Sequence, residues 1–82
     1  MPLSEMNKAI WLWLLRNEGV WNTSVIAKEL GFSNRKVSNS LLSMATGGTV
    51  IKYKSELRKE NSYGVDGTCL VPKGLRLGEV QL

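Results

Sequence analysis

Glycine residues divide the first half of the chain into three short segments, and this spacing limits the fold more than any other sequence feature. Gly19, Gly31 and the pair Gly47–Gly48 each follow a run with helical apolar periodicity, and glycine is common just after the end of a helix. Side chains suited to capping precede the runs: Ser4, then Asn22 or Thr23, then Ser33. The pattern therefore predicts helices over residues 5–17, 24–30 and 34–45.

Beyond Gly48 the sequence changes to a β-type pattern. Residues 49–54 alternate and are rich in β-branched side chains, which predicts a strand. Residues 68–71 predict the returning strand, which Pro72 ends, and the polar stretch 55–67 between them predicts a long loop. Val20–Trp21 predicts a further short extended stretch. Because 82 residues make one domain, we expect a single α+β domain over residues 1–82, with a three-helix bundle and a β-hairpin.

The segment from Thr23 to Leu42 has the spacing of a helix-turn-helix. Ala27, a small residue, lies four residues before Gly31, where the second helix must pass close to the third. Gly31 suits a turn that needs a positive φ. Apolar side chains at helical spacing are expected to join the two helices: Ile26, Leu30, Phe32, Val37, Leu41 and Met44. This arrangement directs the polar face of the third helix outward.

That outward face carries short hydrogen-bonding side chains, two cations and no acid. Its members are Ser33, Asn34, Arg35, Lys36, Ser38, Asn39, Leu42 and Ser43. An arginine at position 35 suits the O6 and N7 edge of guanine, and Asn34 or Asn39 suits an adenine edge. Lys36, Ser33 and Ser38 are better placed for phosphate, as is Ser43 farther along the helix. The alternative is an ordinary solvated helix face.

These residues, with those that flank them, resemble the winged helix-turn-helix family of bacterial transcription regulators, such as the MarR-type and ArsR-type proteins. The matching segments are Gly19–Asn22, Ile26–Ala27, Leu30–Ser33, Val37–Ser38, Gly48–Val50 and Leu70–Gly74. The resemblance covers about residues 10 to 75 and implies that the third helix enters the major groove. It further implies that Arg35, Ser38 and Asn39 face bases and that the hairpin, or wing, touches the DNA backbone or minor groove.

The positive charge of the chain is concentrated on the predicted third helix and wing. Residues 35–59 hold six cations and one acid, a net charge of +5, whereas the rest of the chain sums to −1. The wing cations Lys52, Lys54, Arg58 and Lys59 are therefore predicted to contact phosphates. Lysines on a strand edge also keep an exposed hairpin soluble, and the two roles are compatible.

Helix one is apolar on almost every side. Alignment on the family pattern turns Trp11, Leu12 and Leu15 toward the core. Four apolar residues are then left over as a candidate partner surface: Met6, Ile10, Trp13 and Leu14. Either they pack under the C-terminal tail as part of one core, or they contact another protein, including a second copy of this chain that binds an adjoining DNA half-site.

Several functions are disfavoured by composition. The chain has no histidine and one cysteine, Cys69, so histidine-based catalysis, a thiolate cluster and an internal disulfide are all absent. Cys69 is expected to be a small buried residue of a strand. The longest apolar run, Ala9–Leu15, is far shorter than the roughly 20 residues of a membrane-spanning helix. We expect a cytoplasmic protein that is not an enzyme and needs no cofactor or metal.

Two hypotheses for function follow from these patterns. The first is a transcription regulator that binds double-stranded DNA with its third helix and wing. The second is a winged-helix protein-interaction module, an adaptor or inhibitor, that uses the apolar surface of helix one.

Overall fold

The protein is described by a computed structural model over residues 5–54 and 61–72. Within these residues lie three helices, α1 (Glu5–Arg16), α2 (Thr23–Leu30) and α3 (Asn34–Thr46). The three predicted helices are confirmed, with bounds that differ by one residue. No helix in the described part of the chain is both long enough and apolar enough to cross a bilayer.

The bend between α2 and α3 is fixed by backbone conformation and by a side-chain cap. Gly31 has φ 75°, in the left-handed region, and the amides of Gly31 and Phe32 both donate to the Ala27 carbonyl oxygen. Ser33 then begins the next helix, because its hydroxyl oxygen accepts from the Lys36 amide at 3.3 Å. The predicted positive φ and the predicted cap are both confirmed.

Three short strands, β1 (Trp21–Asn22), β2 (Ile51–Tyr53) and β3 (Ser62–Gly64), form an antiparallel sheet in the described residues, in the order β1–β3–β2. Trp21 and Lys52 both lie opposite Tyr63, one from each side. The described part of the chain is thus an α+β domain with three helices and a three-stranded antiparallel sheet. The strand predicted over 49–54 is confirmed at its centre, and the extended stretch predicted near Trp21 is confirmed as β1.

The second wing strand was predicted wrongly at residues 68–71, because the partner of β2 is β3. Residues 66–69 form a turn instead: the Thr68 amide donates to the Asp66 carboxylate at 2.8 Å, and the Cys69 amide donates to the Asp66 carbonyl oxygen at 3.2 Å. An Asp side chain that bonds backbone two residues later favours a turn over a strand. Cys69 consequently lies half-buried in this turn and outside any strand.

The hydrophobic core lies between the three helices and the inner face of the sheet. Its buried members are Ile10, Trp11, Leu14, Ile26, Ala27, Val37, Leu41, Met44, Val50 and Tyr63. Phe32, predicted to join the core, is instead 37% exposed. After the turn at Asp66 the chain returns to the end of α3, where the Leu70 amide donates to the Gly48 carbonyl oxygen at 2.9 Å.

The candidate partner surface on helix one is corrected by this core. Ile10 and Leu14 are 0% and 1% exposed, because α1 turns Ile10, Trp11 and Leu14 inward. Leu12 and Leu15, which were predicted to be core residues, are only partly buried. The family alignment therefore placed the inner face of α1 about one residue out of register. The tail residues predicted to cover helix one lie outside the described residues.

Met6 and Trp13, the other two residues of that surface, are partly buried against the same core. The rings of Trp13 and Trp21 meet edge to face, with centroids 5.4 Å apart. The Trp21 indole N–H donates to the Asn17 carbonyl oxygen at 3.2 Å, and the Asn17 side-chain Nδ2 donates to the Trp13 carbonyl oxygen at 2.8 Å. Trp13 thus joins the end of α1 to β1, a role within the domain.

Candidate nucleic-acid interface

Helix α3 has one row of buried side chains and, on the opposite side, one row of exposed side chains. Val37, Leu41 and Met44 are buried at 0%, 0% and 6% exposure. At 100° per residue, the row directly opposite contains Arg35, Asn39, Leu42 and Thr46, spaced i, i+4, i+7 and i+11, and all four are exposed. We call these four residues the outer row of α3.

The side chains predicted to contact bases divide between this row and its flank. Arg35 and Asn39 belong to the outer row, whereas Asn34 is exposed in the first turn, about 100° round the helix from Arg35. Ser38 is half-buried because it lies closer to the buried row. Arg35 and Asn39 are one turn apart, about 6 Å along the axis, so a single ligand lying along α3 could contact both.

The N-terminus of α3 has positive charge from two sources. The first is the charged side chain of Lys36, which is exposed there together with Ser33. Both residues are predicted phosphate contacts. The aligned peptide dipoles of the helix add a partial positive charge at the same end. In addition, the first turn of α3 contains no acid to offset that charge. The predicted contact Ser43 is also exposed, two turns farther along the helix.

A second pair of cations belongs to strand β2 and to the residue that follows it. β2 packs against α3, and Lys52 and Lys54 are both exposed. Directly opposed residues of an antiparallel pair share one face of the sheet. Lys52 therefore lies on the same face as the buried Tyr63, the face that packs on the helices. Arg58 and Lys59, the other predicted wing contacts, lie outside the described residues.

The charged side chains of α3 and β2 are all basic. No acid occurs in the sequence from Asn34 to Ser55. Within residues 5–54 and 61–72, none of Arg35, Lys36, Lys52 and Lys54 is held in an ion pair. Over the same residues, no three Cys, Asp or Glu side chains could together hold a metal ion. Within the described part of the chain, the site offers hydrogen-bond donors and positive charge, which suit a polyanion.

Two members of the outer row were not among the residues predicted to contact DNA: Leu42, which was predicted only to face outward, and Thr46. The spacing of four, then three, then four residues from Arg35 would have identified both. Thr46 uses its hydroxyl to donate to the Leu42 carbonyl oxygen at 3.0 Å, whereas Leu42 is 40% exposed.

Comparison with known proteins adds no family to this description. No protein-family model matches the chain, and neither a curated protein nor a solved structure shows significant similarity to it. The geometry and chemistry of α3 and β2 are therefore the basis for inferring what the chain does.

Proposed function

We propose that this chain is a winged helix-turn-helix protein that binds double-stranded DNA and regulates transcription. The observation that carries the proposal is the exposed, acid-free outer face of α3, which follows a Gly31 bend and lies opposite a fully buried row. The element order and the sheet order β1–β3–β2 are compatible with a winged helix, in which the hairpin formed by β2 and β3 is the wing.

The dimensions of α3 suit the major groove of B-DNA. A helix with its side chains is about 10–12 Å across and the groove is about 12 Å wide. With the outer row turned into the groove, the Arg35 guanidinium would donate two hydrogen bonds to guanine O6 and N7. The Asn39 amide would pair with adenine N6 and N7 in the same way. Asn34 and Ser38 flank these contacts.

The remaining polar side chains would fix the helix on the phosphate backbone. Ser33 and Lys36 at the N-terminus of α3, with Ser43 farther along, flank the base-reading row. Lys52 and Lys54 on the wing would contact phosphates across the groove. Contacts of this kind set the register of the protein on DNA and make affinity depend on salt.

Selection of bound sequences from a random duplex pool, followed by salt titration, tests the proposal. Wild-type protein should bind a defined sequence, with log affinity falling linearly as log salt rises. Lys52→Ala should lower that slope by about 1 without changing the selected sequence. Arg16→Ala, which removes one exposed charge from α1, is the matched control and should leave the slope unchanged. Absence of binding to any duplex at low salt would contradict the proposal.

Arg35→Ala separates base reading from general electrostatic attraction. Loss of its paired hydrogen bonds should cost about 1–3 kcal/mol at one guanine and relax the preference at that position. A uniform loss across all sequences would instead assign Arg35 to phosphate. Selected sequences with two inverted half-sites, together with a dimeric mass in solution, would show that two copies bind together.

The protein-interaction alternative is weakened by the burial of Ile10 and Leu14 in the domain's own core. Only Met6 and Trp13 keep partial exposure on that surface, and Trp13 is engaged with Trp21. No specific observation favours this function over DNA binding.

A further inference from the structure

Leu42 is an apolar side chain in the middle of a polar row. It lies between Asn39 and Thr46 on the outer row of α3 and is 40% exposed, whereas its neighbour Leu41 is fully buried. No other large apolar side chain of α3 is exposed. The core of the described domain therefore makes little use of Leu42, and the proposed DNA-reading surface contains one group without a hydrogen-bonding atom.

We infer that Leu42 is a specificity-determining residue that contacts the C5-methyl group of a thymine in the major groove. This inference rests on the proposed function and names one base of its ligand. Among the base edges in the major groove, only thymine presents a methyl group, whereas the other edges present hydrogen-bond donors and acceptors. An apolar side chain pressed against a donor or acceptor would leave that group without its water. Leu42 therefore favours thymine and disfavours the other three bases.

The spacing of the row defines where that thymine lies. Asn39 follows Arg35 by four residues, and Leu42 follows Asn39 by three, so the steps along the helix axis are about 6 Å and 4.5 Å. Successive base pairs of B-DNA are about 3.4 Å apart. The thymine should thus lie one or two base pairs beyond the adenine bound by Asn39, on the side away from the guanine bound by Arg35.

Replacement of single thymines by deoxyuridine in the selected duplex tests the inference, because it removes one methyl group and leaves pairing intact. At one thymine beside the adenine, the substitution should weaken wild-type binding about three- to fivefold, the value expected for one buried methyl group. Leu42→Ala should weaken binding to the parent duplex and lose this sensitivity to deoxyuridine. Leu42→Asn, which keeps side-chain length and replaces the two methyl groups by polar atoms, should also lose it.

Val25→Ala is the matched control, because it shortens another exposed apolar residue, on α2. This variant should retain the full deoxyuridine effect. Helical circular dichroism should be the same for all variants. If wild-type protein binds a defined duplex but no deoxyuridine effect depends on Leu42, the inference is overturned while DNA binding stands. If no duplex is bound, the proposed function and the inference fail together.

Discussion

The indole N–H of Trp11 donates a hydrogen bond to the backbone carbonyl oxygen of Thr49, 2.9 Å away, and so links α1 to the segment that leads into β2. Trp11→Phe removes the donor and leaves a partly buried acceptor without its partner. It should lower the free energy of unfolding by about 2 kcal/mol, measured by urea denaturation. Trp13→Phe is the matched control: Trp13 is only partly buried, so its loss should be less than half as large. Equal losses would show that the Trp11 hydrogen bond contributes little.

Gly64 is a position where a side chain does not fit. A Cβ built on Gly64 would lie 2.7 Å from the carbonyl oxygen of Gly19, and a backbone atom of this kind can move away only if the chain shifts. Gly64→Ala should therefore destabilise the domain by about 1–3 kcal/mol, measured as a lower urea midpoint. Gly67→Ala, where a Cβ would meet nothing within 4 Å, should stay within about 0.5 kcal/mol of wild type.

The cap at Ser33 can be separated from the other serines of α3. Ser33→Ala removes the hydroxyl oxygen that accepts from the Lys36 amide and should cost about 1 kcal/mol of stability in thermal unfolding. Ser43→Ala changes an exposed serine later in the same helix and should cost less than about 0.5 kcal/mol. If the two variants unfold at the same temperature, Ser33 does not act as a cap.

Asp66 gives the turn after β3 a pH-dependent contribution to stability. The hydroxyl and the backbone N–H of Thr68 both donate to its carboxylate and lower the pKa of Asp66 below its ordinary value. Because the folded state has the lower pKa, this contribution is fully present above about pH 5. It is then lost as the pH falls through the lowered pKa. Asp66→Ala should reduce the melting temperature slightly at neutral pH, and the difference should shrink in acid; a constant difference would contradict this mechanism.

The helices and the bend at Gly31 were predictable because their signals are local. Apolar spacing, the Ser33 cap and a glycine that adopts positive φ all act within one or two turns of the chain. The same local periodicity identified the exposed side chains of α3 around Arg35 and Asn39. Whether they contact DNA stays a prediction.

The third strand was not predictable from local preference. Thr68–Val71 has more β-branched and apolar character than Ser62–Gly64, yet Ser62–Gly64 forms β3. Tyr63 is held in β3 by contacts with residues that are far away in sequence. Its side chain is 1% exposed in the core, and it lies between Trp21 and Lys52 in the sheet. A short strand stabilised in this way carries little sequence signal.

Apolar periodicity also could not predict which side of α1 is buried. Because the helix is apolar almost all round, several rotations bury similar amounts of apolar surface. Packing against α3 and the sheet selects the rotation that buries Ile10 and Leu14. Only tertiary contacts could distinguish it from the rotation that the family resemblance favoured.

β3 is the middle strand of the sheet, yet it is the last of the three along the chain. Ser62 meets Asn22 across forty residues of sequence, so neither outer strand has its partner until synthesis has passed Gly64. The helices can form before β3 is synthesised, because their capping contacts join residues close together in the chain. Lys52 therefore takes its fixed position beside α3 only after the chain has been synthesised past Gly64, and a nascent fragment that stops earlier would present the helix without its wing.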